Sequence, residues 1–357
     1  MEERERAERI SLLRAGAPLL EAWFEQSGRA LPWRGNVSPY AVLVSESMLQ
    51  QTRIDTVLRY FPRFMERFPN SAALAAAPED EVLKLWEGLG YYSRARNLQK
   101  AAKVCVEQYG GKLPETAREL KKLPGVGEYT AGAVASLAFG EPVPAVDGNV
   151  LRILARFFSD ERDVLEKTVR TDAAALLTET LKDRPNPGRF NEALMELGEM
   201  LCLPAGRPLC RHCPVRELCR GLACGTESDL PNRGPARPRR IENKTVLVLR
   251  CGSRIALEKR PDKGLLAGLY GFPVLDGRWE AADLKDWLRS YGVPITSLKP
   301  LEPGTHIFTH VEWHMNGWLA ETERPLPGYV YADREEVGQK YALPSAFRVF
   351  RRQCFDD

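Results

Sequence analysis

Residues 123–150 read Leu-Pro-Gly-Val-Gly-Glu-Tyr-Thr-Ala-Gly-Ala-Val-Ala-Ser-Leu-Ala-Phe-Gly-Glu-Pro-Val-Pro-Ala-Val-Asp-Gly-Asn-Val. A turn with two glycines, Gly125 and Gly127, runs directly into an apolar stretch with helical spacing at Ala131, Val134, Ala135 and Ala138. Glycine at both turn positions predicts positive φ and a close approach of the backbone to another molecule. The following helix turns its free N–H groups and positive dipole end outward, as a phosphate requires. Asp147, at the expected start of the next helix, adds a carboxylate aimed at whatever that cradle holds. Taken alone, Gly-Val-Gly is equally a tight helix–helix turn and Asp147 equally an N-cap.

Outward from that stretch, the chain is long enough for two domains. It has 357 residues, 44% hydrophobic and 28% charged, which is ordinary globular composition. A net charge of +3 permits nucleic acid as a partner without demanding it. No apolar run is long enough for a membrane span, and the charged start Met-Glu-Glu-Arg-Glu-Arg lacks the apolar core of a signal peptide. Cytoplasmic residence is expected. Eight cysteines in such a chain point to a metal or cluster site rather than to disulfides.

Upstream, an amphipathic helix is expected over 7–26, with Ile10, Leu13, Leu19, Leu20 and Trp23 on its apolar side. The loop Arg29-Ala-Leu31-Pro-Trp33-Arg34 mixes aromatic and cationic side chains that can cap a core, meet phosphate or stack on a base. Ser38-Pro39 opens a helix that carries Glu46 among Val42, Leu43, Val44, Met48 and Leu49. A carboxyl there holds its proton near neutrality, as a general acid must, unless it faces solvent. Gln50-Gln51-Thr52 follows as an amide-rich helix end suited to base edges or to a gap in a stack. Helices are expected at 53–66, 71–77, 79–87, 93–109 and 115–122, then at 148–158, 164–182 and 188–201. The break Gly88-Leu-Gly90-Tyr91-Tyr92-Ser-Arg-Ala-Arg suits a wedge into DNA, with surface packing of tyrosine as the rival.

Cys202, Cys210, Cys213 and Cys219 follow at C-x7-C-x2-C-x5-C, a tetrathiolate pattern open to zinc or to a 4Fe-4S cluster. Cys224 lies five residues on. From Pro204 to Arg240 there are eight arginines against three acids, and the stretch ends as a linker stiffened by proline. Beyond it the pattern turns from helix to strand: a hairpin of Lys244–Arg250 and Arg254–Lys259, then Phe272-Pro, a helix at 281–291, the segment His306-Ile-Phe-Thr-His310-Val-Glu-Trp-His314 and a last helix near 344–352 complete a small α+β domain.

These motifs resemble a known family. Leu-Pro-Gly-Val-Gly-Glu-Tyr-Thr is similar to the helix–hairpin–helix of DNA glycosylases related to endonuclease III. Val-Pro-Ala-Val-Asp-Gly-Asn-Val resembles their catalytic aspartate segment. The cysteine run resembles their 4Fe-4S loop, with one extra residue in the first gap. Lys263-Gly-Leu-Leu-Ala-Gly-Leu-Tyr-Gly-Phe-Pro resembles the opening of a Nudix domain, and the glutamate-rich hydrolase helix is lacking. Together they resemble adenine DNA glycosylases of the MutY type, which remove adenine opposite 8-oxoguanine.

The resemblance implies an all-α helix–hairpin–helix glycosylase domain over 1–224, with its hairpin near 118–140 and its 4Fe-4S loop at 202–219. A linker at 225–240 and a smaller α+β Nudix-like domain over 241–357 would follow. It implies Glu46 as general acid and Asp147 as the carboxylate beside the sugar, with Asn149 in support. Tyr129 stands where the bifunctional relatives have lysine, which implies a monofunctional enzyme without Schiff-base chemistry. Arg29, Leu31, Trp33, Arg34, Leu49, Glu192 and Met195 would form the adenine pocket. Gln51, Thr52, Tyr91, Gly125 and Gly127 would meet DNA, and Phe308, Thr309 and His310 would read 8-oxoguanine. Cys202, Cys210, Cys213 and Cys219 would hold the cluster. The implied partner is duplex DNA with adenine opposite 8-oxoguanine or guanine, bound by a monomer with no membrane involved. Whether a clamp or other repair protein docks on the linker is left open by the sequence. Two other readings stay open: a glycosylase acting on thymine or oxidised pyrimidines, and a catalytically silent iron–sulfur DNA-binding or redox-sensing protein.

Overall fold

The computed structural model describes residues 2–35, 38–235, 238–292 and 294–355. In chain order the helices are α1 (Glu3–Ser27), α2 (Pro39–Leu49), α3 (Ile54–Arg67), α4 (Ser71–Ala76), α5 (Glu79–Leu85) and α6 (Ser93–Tyr109). They continue with α7 (Ala117–Leu120), α8 (Glu128–Phe139), α9 (Gly148–Phe158), α10 (Lys167–Leu181), α11 (Pro187–Met200) and α12 (Arg220–Cys224). Strands β1 (Arg240–Cys251), β2 (Arg254–Lys259), β3 (Tyr270–Gly271) and β4 (Val274–Asp276) come next, then α13 (Ala281–Ser290). The chain closes with β5 (Ile295–Ile307), β6 (Val311–Thr322), β7 (Val330–Ala332), α14 (Arg334–Gln339) and α15 (Arg348–Phe355).

Two compact units result. One comprises residues 1–76 and 97–235, and the other 77–96 and 236–357. The sequence places 77–96 inside the helical domain, whereas the contacts group it with the sheet. Lys84 shows why: its Nζ bonds Glu87 and donates to the carbonyls of Val337 and Tyr341 at 3.2 and 3.0 Å. The expected linker at 225–240 is divided, with 225–235 in the first unit; its Ala236 and Arg237 lie outside the described residues.

In the first unit, α2 is enclosed along nearly its whole length: every residue from Tyr40 to Met48 is buried. A helix apolar on nearly all sides has neighbours all round, and α2 packs on α3 and α8. Ser38 caps it, accepting from the amide of Ala41, and Pro39 takes the first turn. A second cluster joins Leu13, Ala17 and Leu20 of α1 to Leu154 and Phe157 of α9, Leu177 of α10 and Leu194 of α11. Leu19, expected on the apolar side of α1, is exposed, since the buried stripe runs through Leu13, Gly16, Ala17 and Leu20.

The hairpin between α7 and α8 also corrects an expectation. Gly125 has φ +78°, and a Cβ there would come within 2.5 Å of Asn97 Cβ, so both conformation and space require glycine. Gly127 has φ −90° and open space around it, so positive φ is not its role. Its small size leaves the uncapped start of α8 accessible. Gly132, further along α8, lies so close to the carbonyl of Pro144 that any side chain would collide, which seats the approach to Asp147 on the helix.

The second unit is a seven-stranded mixed sheet in the order β3-β2-β1-β6-β5, with β4 also on β1 and β7 on β2. β1 runs parallel to β6, and β6 antiparallel to β5. The run Val246–Leu249 is buried throughout because both faces are covered. Val246 and Val248 pack with Phe272, Trp313, Phe347 and Phe350. Leu247 and Leu249 pack with Leu284 and Leu288 of α13.

Candidate active site

Glu46 sits on α2 with 4% of its surface exposed, and among the described residues its Oε2 has no hydrogen-bond partner. Burial pushes its carboxyl up to about 7, and the charges of Asp147 and Glu192 push the same way. The nearby Tyr129 hydroxyl and Arg34 guanidinium oppose the rise. Tyr129, from the first turn of α8, donates from Oη to Met195 Sδ at 3.2 Å. Burial and the neighbouring carboxylates hold that phenol well above its ordinary range.

Asp147 approaches as the N-cap of α9, in extended conformation, and its Oδ1 accepts from the Val150 amide at 2.7 Å. Burial raises its carboxyl too, but the amides of Val150 and Asn149 favour the charged form. The two acids therefore differ in kind: one has a bare buried oxygen, the other is fed by a helix N-terminus. Asn149 donates to Glu199 Oε1 at 3.0 Å.

The two acids open on a cavity of about 370 Å³. Of the expected site residues, Glu46, Tyr129, Asp147, Asn149, Leu31, Trp33, Arg34, Leu49, Gln51, Thr52, Glu192 and Met195 all line it. Gln51 stands at its edge with φ +56°, an uncommon conformation for a non-glycine residue. Arg29 is not on this wall; it lines a neighbouring cavity of about 520 Å³. The hairpin glycines Gly125 and Gly127 are not part of the lining. Tyr91, Phe308, Thr309 and His310 belong to the second unit. There Tyr91 Oη and Thr309 Oγ1 lie 3.3 Å apart, and the Phe308 ring stands edge-on to His306 and Trp313.

Arg53, Ile54, Leu137, Glu196 and Glu199 also line the cavity and were not singled out from sequence. Glu196 has a readable signal: Glu192, Glu196 and Glu199 recur at helical spacing on α11 and so share a face. Burial alone would raise the Glu196 carboxyl, but hydrogen bonds from Arg29 and Arg34 hold it down at about 2. Glu192 behaves oppositely, raised by burial and only partly offset by Arg34 at 3.5 Å.

Cys202, Cys210, Cys213 and Cys219 are free thiols of intermediate burial. Burial raises Cys210, Cys213 and Cys219, with Cys213 pushed up to about 12, and all three sense the charge of Cys202. Arg156 and Arg152, one turn apart on α9, serve this segment: Arg156 Nη1 stands 3.4 Å from Cys202 Sγ, and Arg152 Nε donates to the Cys202 carbonyl at 2.9 Å. Four mutually close thiols beside a buried cation fit an anionic cluster ligated at several corners. Among the described residues, no three His, Cys, Asp or Glu side chains are arranged to hold a single metal ion. Cys224 is exposed at the end of α12.

Comparison with known proteins agrees with this architecture. Residues 44–179 match the HhH-GPD superfamily of base excision DNA repair proteins, and residues 245–353 match the NUDIX domain. The chain is 36% identical to the adenine DNA glycosylase of Homo sapiens, over 94% of this chain and 73% of that protein. It is 33% identical to the adenine DNA glycosylase of Buchnera aphidicola (strain Bp), covering 82% of each. Among solved structures, a thermostable thymine-DNA glycosylase superposes with a TM-score of 0.53 at 27% identity, over 60% of this chain and 98% of that one.

Proposed function

Because the chain belongs to the adenine DNA glycosylases of the HhH-GPD superfamily, enzymes of base excision repair, we propose a specific substrate and course for its reaction. The substrate is duplex DNA with adenine opposite 8-oxoguanine or guanine, and the reaction is hydrolysis of the adenine N-glycosidic bond. The observation that carries this reading is the bare, buried Glu46 Oε2 on a cavity shared with Asp147.

A duplex hides the bond, so adenine is flipped out and enters the cavity. Glu46, carrying a proton near neutrality, delivers it to a ring nitrogen of the leaving base. As the C1′–N bond lengthens, positive charge develops on the sugar, and the Asp147 carboxylate, ionised with help from the α9 amides, stabilises it. Water adds at C1′ and gives up its proton to the Glu46 carboxylate, which restores the acid and leaves an abasic site. Tyr129 offers a phenol with a strongly raised pKa, not an amine, so no Schiff base forms and the strand stays intact. Gln51 and Tyr91 are the candidates for filling the vacated stack, Thr52 for a further DNA contact, and Gly125 and Gly127 for receiving a phosphate. The loop Phe308-Thr309-His310 is the candidate reader of 8-oxoguanine.

Cys202, Cys210, Cys213 and Cys219 would hold a 4Fe-4S cluster. Bound there, it would cross-link the Cys202–Cys219 segment, and Arg152 and Arg156 would fix that segment to the helix capped by Asp147.

The test is an end-labelled duplex with adenine opposite 8-oxoguanine, sampled with and without alkali. Breaks only after alkali are expected. Breaks without alkali would show a lyase nucleophile, and tight binding with no breaks would favour a silent DNA-binding protein.

A further inference from the structure

Glu196 forms part of the lining of the base cavity, and its side chain is fully buried. Every one of its acceptor directions is used: Oε1 accepts from the Arg29 amide at 2.9 Å and Arg29 Nε at 2.7 Å, and Oε2 from Arg29 Nη2 at 2.9 Å and Arg34 Nη2 at 2.8 Å. Arg34 Nη1 closes the ring on the Arg29 carbonyl at 3.1 Å. One carboxylate thus fixes both ends of a short loop that carries Leu31 and Trp33 to the cavity, by backbone and side chain together. Bidentate, charge-assisted bonds of this kind set orientation as well as energy. Arg34 and Trp33 also line the neighbouring cavity, so the clamped loop is the partition between the two spaces.

We infer that Glu196 is a positioning residue for base excision: by clamping Arg29 and Arg34 it holds the Leu31–Trp33 wall against the flipped base and keeps the Arg34 charge balanced in front of Glu46. The inference rests on the adenine-excision reading.

The charges involved can be enumerated. Glu196 faces Arg29, Arg34 and Glu192, and Arg29 also feels Glu199 and Asp55. Glu46 faces Tyr129 from α8, Asp147 from the start of α9, Glu192 from α11 and Arg34 from the loop. Neutralising Glu196 leaves Arg34 with Glu192, at 3.5 Å, as its remaining counter-charge, and the stronger net field of Arg34 then draws the proton of Glu46 off at lower pH. A misplaced wall also slows excision, because displacements near 1 Å commonly cost up to about a hundredfold.

Full-length Glu196→Gln and Glu196→Asp are compared with wild type by single-turnover excision from an adenine·8-oxoguanine duplex across pH, and by amide hydrogen exchange of residues 29–35. Glu196→Gln is expected to slow excision between about ten- and a hundredfold, to move the alkaline limb of the profile to lower pH and to raise exchange at residues 29–35. Glu196→Asp keeps the charge on a shorter stem, so it should slow excision while leaving the limb in place. Equal slowing in both variants with an unmoved limb would reduce Glu196 to a structural role and overturn the inference, as would unchanged exchange. If Glu196→Gln does not fold, Glu196→Asp decides by exchange alone: raised exchange supports the clamp, unchanged exchange refutes it. A wild-type protein that excises no adenine would instead defeat the functional reading, and the exchange arm would still judge the clamp.

Discussion

Tyr91 Oη and Thr309 Oγ1 meet at 3.3 Å although 218 positions separate them in the chain. The sequence offers them as two unconnected candidates, one a wedge and one a reader of the opposite base. The fold joins them, because α5 and its glycine-rich exit are tied to the sheet unit through Lys84 and Glu87. Tyr91 is held at φ +46° between that exit and Arg94, whose guanidinium lies 5.6 Å from its ring.

Thr309→Val deletes the hydroxyl and keeps the shape. Because one neutral hydrogen bond changes a rate by about three- to tenfold, the preference for 8-oxoguanine over guanine opposite adenine should fall by that factor. Single-turnover rates on the two duplexes give the ratio. The guanine-opposed rate should change less than the 8-oxoguanine-opposed rate.

Glu46 binds its proton with a pKa near 7 in the folded protein against an ordinary value of 4.5. Excision needs the protonated form, so the rate should fall as pH rises through about 7. Tyr129→Phe removes a hydroxyl that favours the ionised acid, and the limb should move to higher pH. A single-turnover profile from pH 5.5 to 9 reads both.

The same shift bears on stability. Here the native state binds more protons than the unfolded chain between about pH 4.5 and 7, so the Glu46 contribution falls over that window as pH rises. Above it, folding carries the cost of a buried charge. Glu46→Gln has no charge to bury, and its melting temperature should exceed wild type by several degrees at pH 8, with the difference shrinking toward pH 5.

Cys213→Ser should yield protein with less iron and a weakened broad visible absorption, because it removes one of the four thiolates proposed to hold the cluster. Cys224→Ser should leave both unchanged, since Cys224 is exposed on α12. Iron analysis and a visible spectrum separate the two.

Much of this was legible because local rules and tertiary context agree. Ser38-Pro39 starts α2, Asp147 caps α9, and the continuous run Val246–Leu249 becomes a strand covered on both faces. Glu46 stood out amid Val42, Val44 and Met48, but the sequence pattern left it equally able to face solvent, and only the packing of α2 puts it inside. What escaped depends on packing between distant segments. Gly127 shares the turn with Gly125 but not its dihedral, since only Gly125 lies against Asn97. Glu196 gains its role from a loop 167 positions away, a pairing that helical periodicity on α11 hints at and cannot identify. Segment 77–96 reads as one more helix of a helical domain, and only Lys84 reaching the carbonyls of Val337 and Tyr341 reveals its allegiance.

The most direct measurement is single-turnover excision by wild type and Glu46→Gln on one adenine·8-oxoguanine duplex, with binding of the same duplex measured alongside. The account predicts alkali-dependent breaks from wild type, and a rate lower by about a hundredfold or more in the variant at unchanged affinity. A variant that excises as fast as wild type would contradict Glu46 as the acid and with it the chemistry assigned to the cavity.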